Sequence, residues 1–313
     1  MEGKAYTPDE VAQIFQISKH TVYELIKRGE LDAFKIGNKM RIDHSELERY
    51  KQSKKAPVKK SPVNQTAAPE VYVNRLQLSG SHDFLVEHVA KEAARTLQLQ
   101  IQPSYIGSLE GLMLLYRGQS DIAAMHLLDP NSHEYNLPFI KQLFIYESIA
   151  VIRLAAREQG FIVAKGNPKN FYDFTDLTRR DIRFINRQKG SGTRFLLDLK
   201  LSSNGIDPQQ INGYSNEEWN HLSAASNIAR GAADVAFGIH SAASHLGLDF
   251  LPVAKENFDL VFRFTSENRQ MLTELIQFLQ SKRFKESLSD FEGYDVTNLG
   301  KIIYQTNLME DNS

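Results

Sequence analysis

One segment, residues 186–194, concentrates the residue types that bind anions. It supplies two arginines, two glycines and two hydroxyl residues: Arg187, Gly190, Ser191, Gly192, Thr193 and Arg194. The glycines let backbone amides approach a ligand closely, because they have no side chain. The arginines can hold a carboxylate, phosphate or metallate through paired hydrogen bonds. For Arg194 an alternative is open, since at the start of a helix it would simply anchor the loop.

Two serines earlier in the chain suit the same chemistry. Ser81 and Ser108 each follow an apolar segment and precede a helical pattern. A hydroxyl beside the free amides of a helix N-terminus can donate to an anion, and the helix field favours negative charge there. Either serine alone could equally cap its own helix. Together they predict a site for a tetrahedral oxyanion that needs no salt bridge.

Three histidines are further candidates for ligand binding: His82, His126 and His240. His126 ends a predicted strand and can reach a ligand from there. A neutral His240 would donate one hydrogen bond, and a charged one would couple binding to pH. No metal site is predicted, because the histidines, with His221, lack metal-ligand spacing. No catalytic residues are predicted either, since Asp83 and Glu110 suit helix starts better than acid–base roles.

These candidates lie where strands meet helices in the pattern after residue 70. Predicted strands cover residues 73–78, 99–104, 121–125 and 182–185, and predicted helices cover 84–97 and 195–201. Alternating strands and helices indicate an open α/β sheet, which binds ligands at the carboxyl ends of its strands. Residues 71–313 exceed one minimal core and suit two lobes, the second covering roughly 155–250.

The first fifty residues carry a different pattern, typical of DNA-binding modules. Thr7 and Pro8 begin one helix, Ser18 caps a second, and Gly29 ends it. A hairpin is predicted over residues 31–42, with its turn at residues 37–38, followed by another helix. The second helix and the basic hairpin offer the candidate DNA contacts Lys19, His20, Tyr23, Lys27, Lys35, Lys39 and Arg41.

Pattern, order and spacing over residues 5–51 resemble the excisionase-type winged helix-turn-helix domains, related to the MerR group. The resemblance implies binding to double-stranded DNA. The alternative is a short basic domain that mediates protein contacts. Residues 1–60 hold 13 Lys and Arg against 9 Asp and Glu, in a chain of net charge −1, and this basic excess favours DNA.

A second resemblance covers residues 76–300. The segments that carry it include residues 80–83, 107–109, 126–129, 134–136, 157–160, 166–168, 190–194 and 293–295. They are similar to the periplasmic-binding-protein-like domain of predicted molybdate-binding regulators. This implies a two-lobed type II fold with crossing strands, in which Ser81 and Ser108 face residues 190–193 across a ligand cleft. His240 stands where related molybdate receptors place a tyrosine.

Composition limits the remaining possibilities. The chain has no cysteine, which excludes disulfides, thiolate metal sites and a thiol nucleophile. We expect a cytoplasmic protein, because no apolar run reaches membrane-spanning length and no signal-peptide core is present. The predicted domains are 1–53 for DNA binding, 54–70 as a polar, proline-punctuated linker, and 71–313 for ligand sensing.

The sequence therefore predicts an α/β sensor domain with an N-terminal winged helix-turn-helix domain. The expected function is that of a one-component transcriptional regulator, homodimeric and without a catalytic step or cofactor. Its expected ligand is a small anion, with molybdate or tungstate as the first candidates. The alternative is a solute-binding protein for an oxyanion or small organic acid, with no regulatory role.

Overall fold

The computed structural model describes residues 5–15, 22, 25–26, 31–36, 39–55, 74–288 and 291–306. The chain divides into two compact units, Met1–Glu70 and Val71–Ser313. Each unit has its own buried apolar core.

The smaller unit combines short helices with a three-stranded sheet of order β1-β3-β2. Its elements are β1 (Ala5–Tyr6), α1 (Pro8–Phe15), β2 (Phe34–Ile36), β3 (Lys39–Asp43) and α2 (His44–Lys55). Helix α1 begins where predicted, because the Thr7 hydroxyl accepts the Glu10 amide at 3.2 Å and the Glu10 carboxylate accepts the Thr7 amide at 2.7 Å. This reciprocal pair satisfies two amides that the helix itself leaves unbonded.

The predicted hairpin pairs Ile36 with Lys39, so residues 37–38 connect β2 to β3. Its strands pack with α1 and α2. They also pack with Val22, Leu25 and Ile26, the described residues of the helix that the sequence predicts between Ser18 and Gly29, all three of which are helical. Helix α2 extends to Lys55, past the predicted start of the linker at residue 54.

The larger unit is an α/β structure around one ten-stranded sheet of order β5-β4-β6-β11-β7-β10-β8-β9, with β12 and β13 also paired to β7. Its strands are β4 (Asn74–Gly80), β5 (Leu99–Tyr105), β6 (Ile122–Met125), β7 (Ile149–Val163), β8 (Phe184–Arg187), β9 (Glu217–Glu218), β10 (Val235–Ile239), β11 (Asp249–Arg263), β12 (Tyr294–Asp295) and β13 (Ile302–Gln305). Parallel pairing within β5-β4-β6 and within β10-β8-β9 gives each lobe its own small parallel sheet.

Two long strands join the lobes. β7 and β11 each have 15 residues and pair antiparallel from Ile149 opposite Arg263 to Val163 opposite Asp249. One end of this ribbon pairs with β6 and the other with β10. Apolar clusters fill both lobes on either side of the sheet. The predicted two-lobed α/β fold with crossing strands is confirmed.

Each helix of the larger unit except the last follows a strand in the chain. These helices are α3 (Phe84–Leu97), α4 (Ser108–Tyr116), α5 (Leu137–Leu143), α6 (Gly192–Ser203), α7 (His221–Ala229), α8 (His240–His245), α9 (Arg269–Gln280) and α10 (Lys282–Glu286). The predicted helix 84–97 matches α3, whereas α6 begins three residues before the predicted 195, because its N-cap is Ser191. No described helix is both long and apolar enough to cross a membrane.

Candidate anion site between the lobes

The two predicted serines meet in the first lobe. Ser81 follows β4, Ser108 begins α4, and their Oγ atoms are 2.7 Å apart with both residues buried. The Ser108 oxygen also accepts the backbone N–H of His126 at 3.2 Å. Because one hydroxyl donates to the other, the second hydroxyl hydrogen is not used within the pair. A ligand placed beside the serines can accept it.

The glycine loop of the second lobe lies against this serine pair. The amide of Leu109 donates to the carbonyl of Gly190 at 3.2 Å. A Cβ at Gly107, where φ is +93°, would lie 3.0 Å from the same carbonyl oxygen. The two lobes therefore touch backbone to backbone, and a side chain at residue 107 would crowd the Gly190 carbonyl and strain the backbone.

Gly192 makes the closest approach. A Cβ at this position would lie 2.5 Å from both Nδ1 and the carbonyl oxygen of His126. The next residue, Thr193, is buried, and Ser191 accepts the amide of Arg194 at 3.2 Å as the helix cap. The loop thus brings its amides and hydroxyls next to the first lobe, with the Ser191 hydroxyl already engaged in capping.

A buried ionic network lies behind these residues on the crossing strands. Arg157 on β7 pairs with Asp83 and with Glu256 on β11, and His126 Nδ1 donates to Glu256 at 2.9 Å. Burial alone would raise the pKa of Glu256, but the neighbouring His126 and Arg157 lower it to about 2. Burial lowers the pKa of His126, and the carboxylate of Glu256 opposes this shift.

Gln159 connects this network to the glycine loop. Its amide nitrogen donates to Glu256 Oε1 and to Thr193 Oγ1, both at 2.9 Å. The carboxylate can only accept, which fixes the amide orientation and directs the carbonyl oxygen elsewhere. That oxygen is buried and has no hydrogen-bond partner in the described ranges.

Arg187, at the end of β8, is the most unusual charge in the site. Only 4% of the residue is exposed, and it donates to the carbonyls of Glu218 at 3.2 Å and Trp219 at 2.9 Å. Burial, together with the nearby charge of Arg157, lowers the pKa of Arg187 to about 9. No described carboxylate pairs with it within 4.0 Å, and its Nη1 has no hydrogen-bond partner among the described residues.

A second guanidinium donor is also unused. Arg157 Nη2 is buried without a hydrogen-bond partner in the described part of the chain, although its other nitrogens are paired. Buried polar groups are nearly always bonded, so two unpaired guanidinium nitrogens call for an explanation. An anion that accepts from both supplies one. The serine pair is thus accompanied by two cations, whereas the sequence predicted an oxyanion site without a salt bridge.

Arg194, in contrast, has the contacts of an anchor. Its Nη1 donates to the carbonyl of Arg187 at 3.0 Å, and its Nε to Asp198 at 3.0 Å. The guanidinium lies 4.1 Å from the centre of the Tyr214 ring. Of the two interpretations left open by the sequence, these contacts favour the one in which Arg194 holds the loop in place.

The remaining predicted residues lie in other surroundings. His82 is half-buried and its Nε2 lies 2.9 Å from the carboxylate of Glu87. His240 stacks on Phe250 with ring centres 4.9 Å apart, and lies 3.7 Å from the Glu158 carboxylate. The contacts of His240 are therefore with the crossing strands, not with the serine pair.

The predicted DNA contacts are only partly described. Lys19, His20, Tyr23 and Lys27 lie outside the described residues. Lys35 lies on β2 and Lys39 on β3, and Arg41 is a half-buried residue of β3. The proposed DNA surface therefore stays a prediction.

Several residues of the site had no assigned role in the sequence. Asp83 is the predicted helix-start acid, accepting the Leu85 amide at 2.7 Å, but it also pairs with Arg157. Arg157 and Gln159 lie in residues 157–160, one of the segments that carry the family resemblance, but no role was predicted for them. No local sequence pattern indicated a role for Glu256. Among the described residues, no group of three or more His, Asp or Glu side chains could hold a metal ion.

Comparisons with known proteins agree with this architecture. Residues 90–280 match the family described as "PBP superfamily domain", and residues 5–55 match "Helix-turn-helix domain". The chain is 37% identical to "Uncharacterized protein YvgK" from Bacillus subtilis (strain 168) over 97% of this chain and 99% of that protein.

Two solved structures share the fold of the larger unit. One is a putative phosphate ABC transporter substrate-binding protein with bound phosphate from Clostridium perfringens, 16% identical, with TM-score 0.52 over 71% of this chain and 99% of that one. The other is the tungstate ABC transporter from Geobacter sulfurreducens, 15% identical, with TM-score 0.51 over 69% of this chain and 98% of that one. At these identities the likeness concerns the fold alone.

Proposed function

Because the chain belongs to the PBP superfamily and carries an N-terminal helix-turn-helix domain, we propose that it is a one-component transcriptional regulator that binds DNA and senses a small anion. The observation that supports anion sensing is the pair of buried guanidinium nitrogens, on Arg157 and Arg187, that lack partners among the described residues. An anion between the lobes would accept from both and from the free serine hydroxyl.

Within this class, molybdate or tungstate is the ligand we favour. The sequence resemblance suggests it, and the shared fold with a tungstate transporter component is consistent with it. Arg157 and Arg187 would share the charge of a dianion, while the serine pair would donate to one of its oxygens. No catalytic step is proposed, since neither matched family is named for a reaction.

Anion binding would be transmitted by lobe closure. An anion bound by Ser81 and Ser108 of one lobe and Arg187 of the other favours the closed form, because only that form offers both sets of donors. In a homodimer on a two-fold DNA site, a change in closure alters operator affinity. The alternative, a solute-binding protein without a regulatory role, gives the helix-turn-helix domain no purpose.

The ligand proposal predicts selective stabilisation by metallates. An anion that binds only the folded protein, present at about 100 times its Kd, should raise the free energy of unfolding by about 2.7 kcal/mol. Melting temperatures with molybdate, tungstate, phosphate, sulfate and small carboxylates test this. We expect molybdate or tungstate to outcompete phosphate at equal concentration.

Two results would contradict different parts of the ligand proposal. If phosphate or an organic acid displaces molybdate at equal concentration, the metallate assignment is wrong while anion sensing stands. If no anion in the panel raises the melting temperature, anion sensing itself is wrong.

DNA binding by the full-length protein should depend strongly on salt. Each phosphate neutralised by a basic side chain releases counterions, so the logarithm of affinity falls by about 0.9 per contact for each tenfold rise in salt. Arg41→Gln, on the β3 strand of the hairpin, should reduce that slope by about one. Arg117→Gln, an exposed arginine of the other unit, is the control. If the full-length protein binds the DNA of its own promoter independently of salt, or does not bind it, the proposed role as a transcriptional regulator is wrong.

A further inference from the structure

A second cavity, of about 590 Å³, lies between the lobes and is distinct from the serine and arginine site. Helix α3 of the first lobe forms one wall, the end of α8 in the second lobe forms another, and residues 291–294 line a third side. Its aromatic lining residues are Phe84, His88, His245, Phe291 and Tyr294. The volume is within the range of small-molecule sites in proteins.

The lining is dominated by flat rings. The Phe84 and His245 rings stack nearly parallel, with centres 4.5 Å apart and planes at 5°. His88 meets Phe291 edge to face at 4.9 Å. The outer faces and the edges of these rings can receive a further ring in the offset-stacked or edge-to-face arrangements that aromatic pairs prefer. The geometry of the cavity thus selects for a planar aromatic group.

The polar groups of the cavity indicate which polar groups its ligand should carry. His245 Nδ1 lies 2.8 Å from the carbonyl of Ser241, so this nitrogen carries the proton and donates. In a neutral imidazole with its proton on Nδ1, the other ring nitrogen is an acceptor. Glu87, Glu292 and Lys91 place both signs of charge around the rings. A nitrogen heterocycle with an N–H donor satisfies these groups better than a hydrocarbon.

Tyr294 links this cavity to the anion site. Its hydroxyl donates to Asp83 Oδ2 at 3.0 Å and lies 3.3 Å from the hydroxyl of Ser241 on the second lobe. Asp83 in turn pairs with Arg157, one of the two arginines with an unused nitrogen. A molecule resting on Tyr294 therefore contacts the side chain that orients the ion pair behind the anion.

We propose that this cavity binds a planar nitrogen heterocycle as a second ligand, in addition to the anion of the proposed function. Phe84 and His245 come from different lobes, so the cavity is complete only when the lobes are together. Both ligands then favour the same closed form, and each strengthens binding of the other.

The test uses the full-length protein with indole, benzimidazole and, as a non-heterocyclic comparison, toluene. Saturation-transfer NMR and calorimetry measure binding. We expect indole or benzimidazole to bind with a Kd of about 1 mM or tighter, as befits so small a molecule. Phe84→Leu and His245→Ala each remove one ring and should weaken binding by about tenfold.

Matched variants separate the cavity from general effects. Tyr172→Ala removes a ring that is 68% exposed and lies outside the cavity, so heterocycle binding should not change. Circular dichroism and melting temperature confirm that each variant is folded. If neither heterocycle binds, or if both ring variants bind as the wild type does, the cavity is not a ligand site.

Coupling is measured by repeating the titrations with saturating tungstate. We expect the affinity for the heterocycle to rise about fivefold. Tyr294→Phe keeps the ring but removes the hydroxyl, so binding should remain and the increase should be lost. An affinity that tungstate does not change overturns the coupling. If the heterocycle binds while no anion stabilises the protein, the anion sensor fails and the cavity stands.

Discussion

Replacing Arg187 with methionine is expected to weaken anion binding by about two to three orders of magnitude, or about 3–4 kcal/mol. Arg187 is buried, has no carboxylate partner in the described chain, and keeps Nη1 unpaired. It thus holds a buried charge without a direct carboxylate partner, and a bound anion would supply one. Calorimetric titration with molybdate or tungstate measures the loss.

The same change should leave the free protein as stable as before, or more stable. An unpaired buried charge costs free energy, and methionine fills similar space without it. Two carbonyls lose their donor, which offsets part of the gain. Arg187→Lys keeps the charge but not the planar fork, so we expect an intermediate affinity. Unchanged affinity in Arg187→Met would move the anion site elsewhere.

Two comparisons calibrate this result. Arg183→Met removes an arginine next to the same strand, but one that is half-exposed and paired with Asp234 at 2.9 Å. It should not alter anion affinity. Ser81→Ala and Ser108→Ala each remove one hydroxyl and should cost about 1.5–3 kcal/mol, less than the loss of the charge.

Replacing Glu256 with glutamine should have the largest effect on stability, lowering the free energy of unfolding by about 3 kcal/mol. Glu256 is buried and joins Arg157, His126 and Gln159. Without its charge, Arg157 keeps only Asp83 as a compensating partner. Urea denaturation at neutral pH measures the difference. As a control, Glu147→Gln breaks a partly exposed pair with Arg263 and should cost about 1 kcal/mol or less.

The effect of Glu256 should also depend on pH in a defined direction. Its pKa in the folded protein is about 2, below the ordinary value of 4.5. Between these two pH values the folded protein therefore binds fewer protons at Glu256 than the unfolded protein does. Its contribution is fully present above pH 4.5 and disappears as pH falls through 2. The difference between wild type and Glu256→Gln should therefore shrink across this interval. A difference that stays constant would mean that its charge is not stabilising.

Local signals in the sequence predicted the serine half of the site and not the ionic half. Ser81 and Ser108 stand between a strand and a helix, and that position alone places them at the edge of the sheet. Glu256 lies 99 residues from Arg157, and their contact depends on the register of β7 with β11. A charged residue in an alternating strand pattern normally faces solvent, so nothing local marked either one as buried.

The same reasoning explains why the role of Arg194 was left open. Its neighbourhood in the sequence suggested anion binding, as did that of Arg187, seven residues earlier. Only the packing of α6 on β8 separates the two: it gives Arg194 the acceptors Asp198 and the Arg187 carbonyl, and leaves Arg187 with an unused nitrogen. Spacing alone cannot distinguish an anchor from a ligand contact when both sides of a loop are basic.

The backbone contact between Gly107 and Gly190 limits the size of the anion that the site between the lobes can hold. Flexible side chains at the contact between the lobes could move aside for a ligand that is too large. The backbone atoms that meet at Gly107 and Gly190 cannot. The anion site should therefore discriminate strictly between anions by size. An anion that reaches the serines but exceeds the space would hold the lobes apart, and would behave as a competitive antagonist. Under the proposed function, we expect larger oxyanions and substituted phosphonates to inhibit the response.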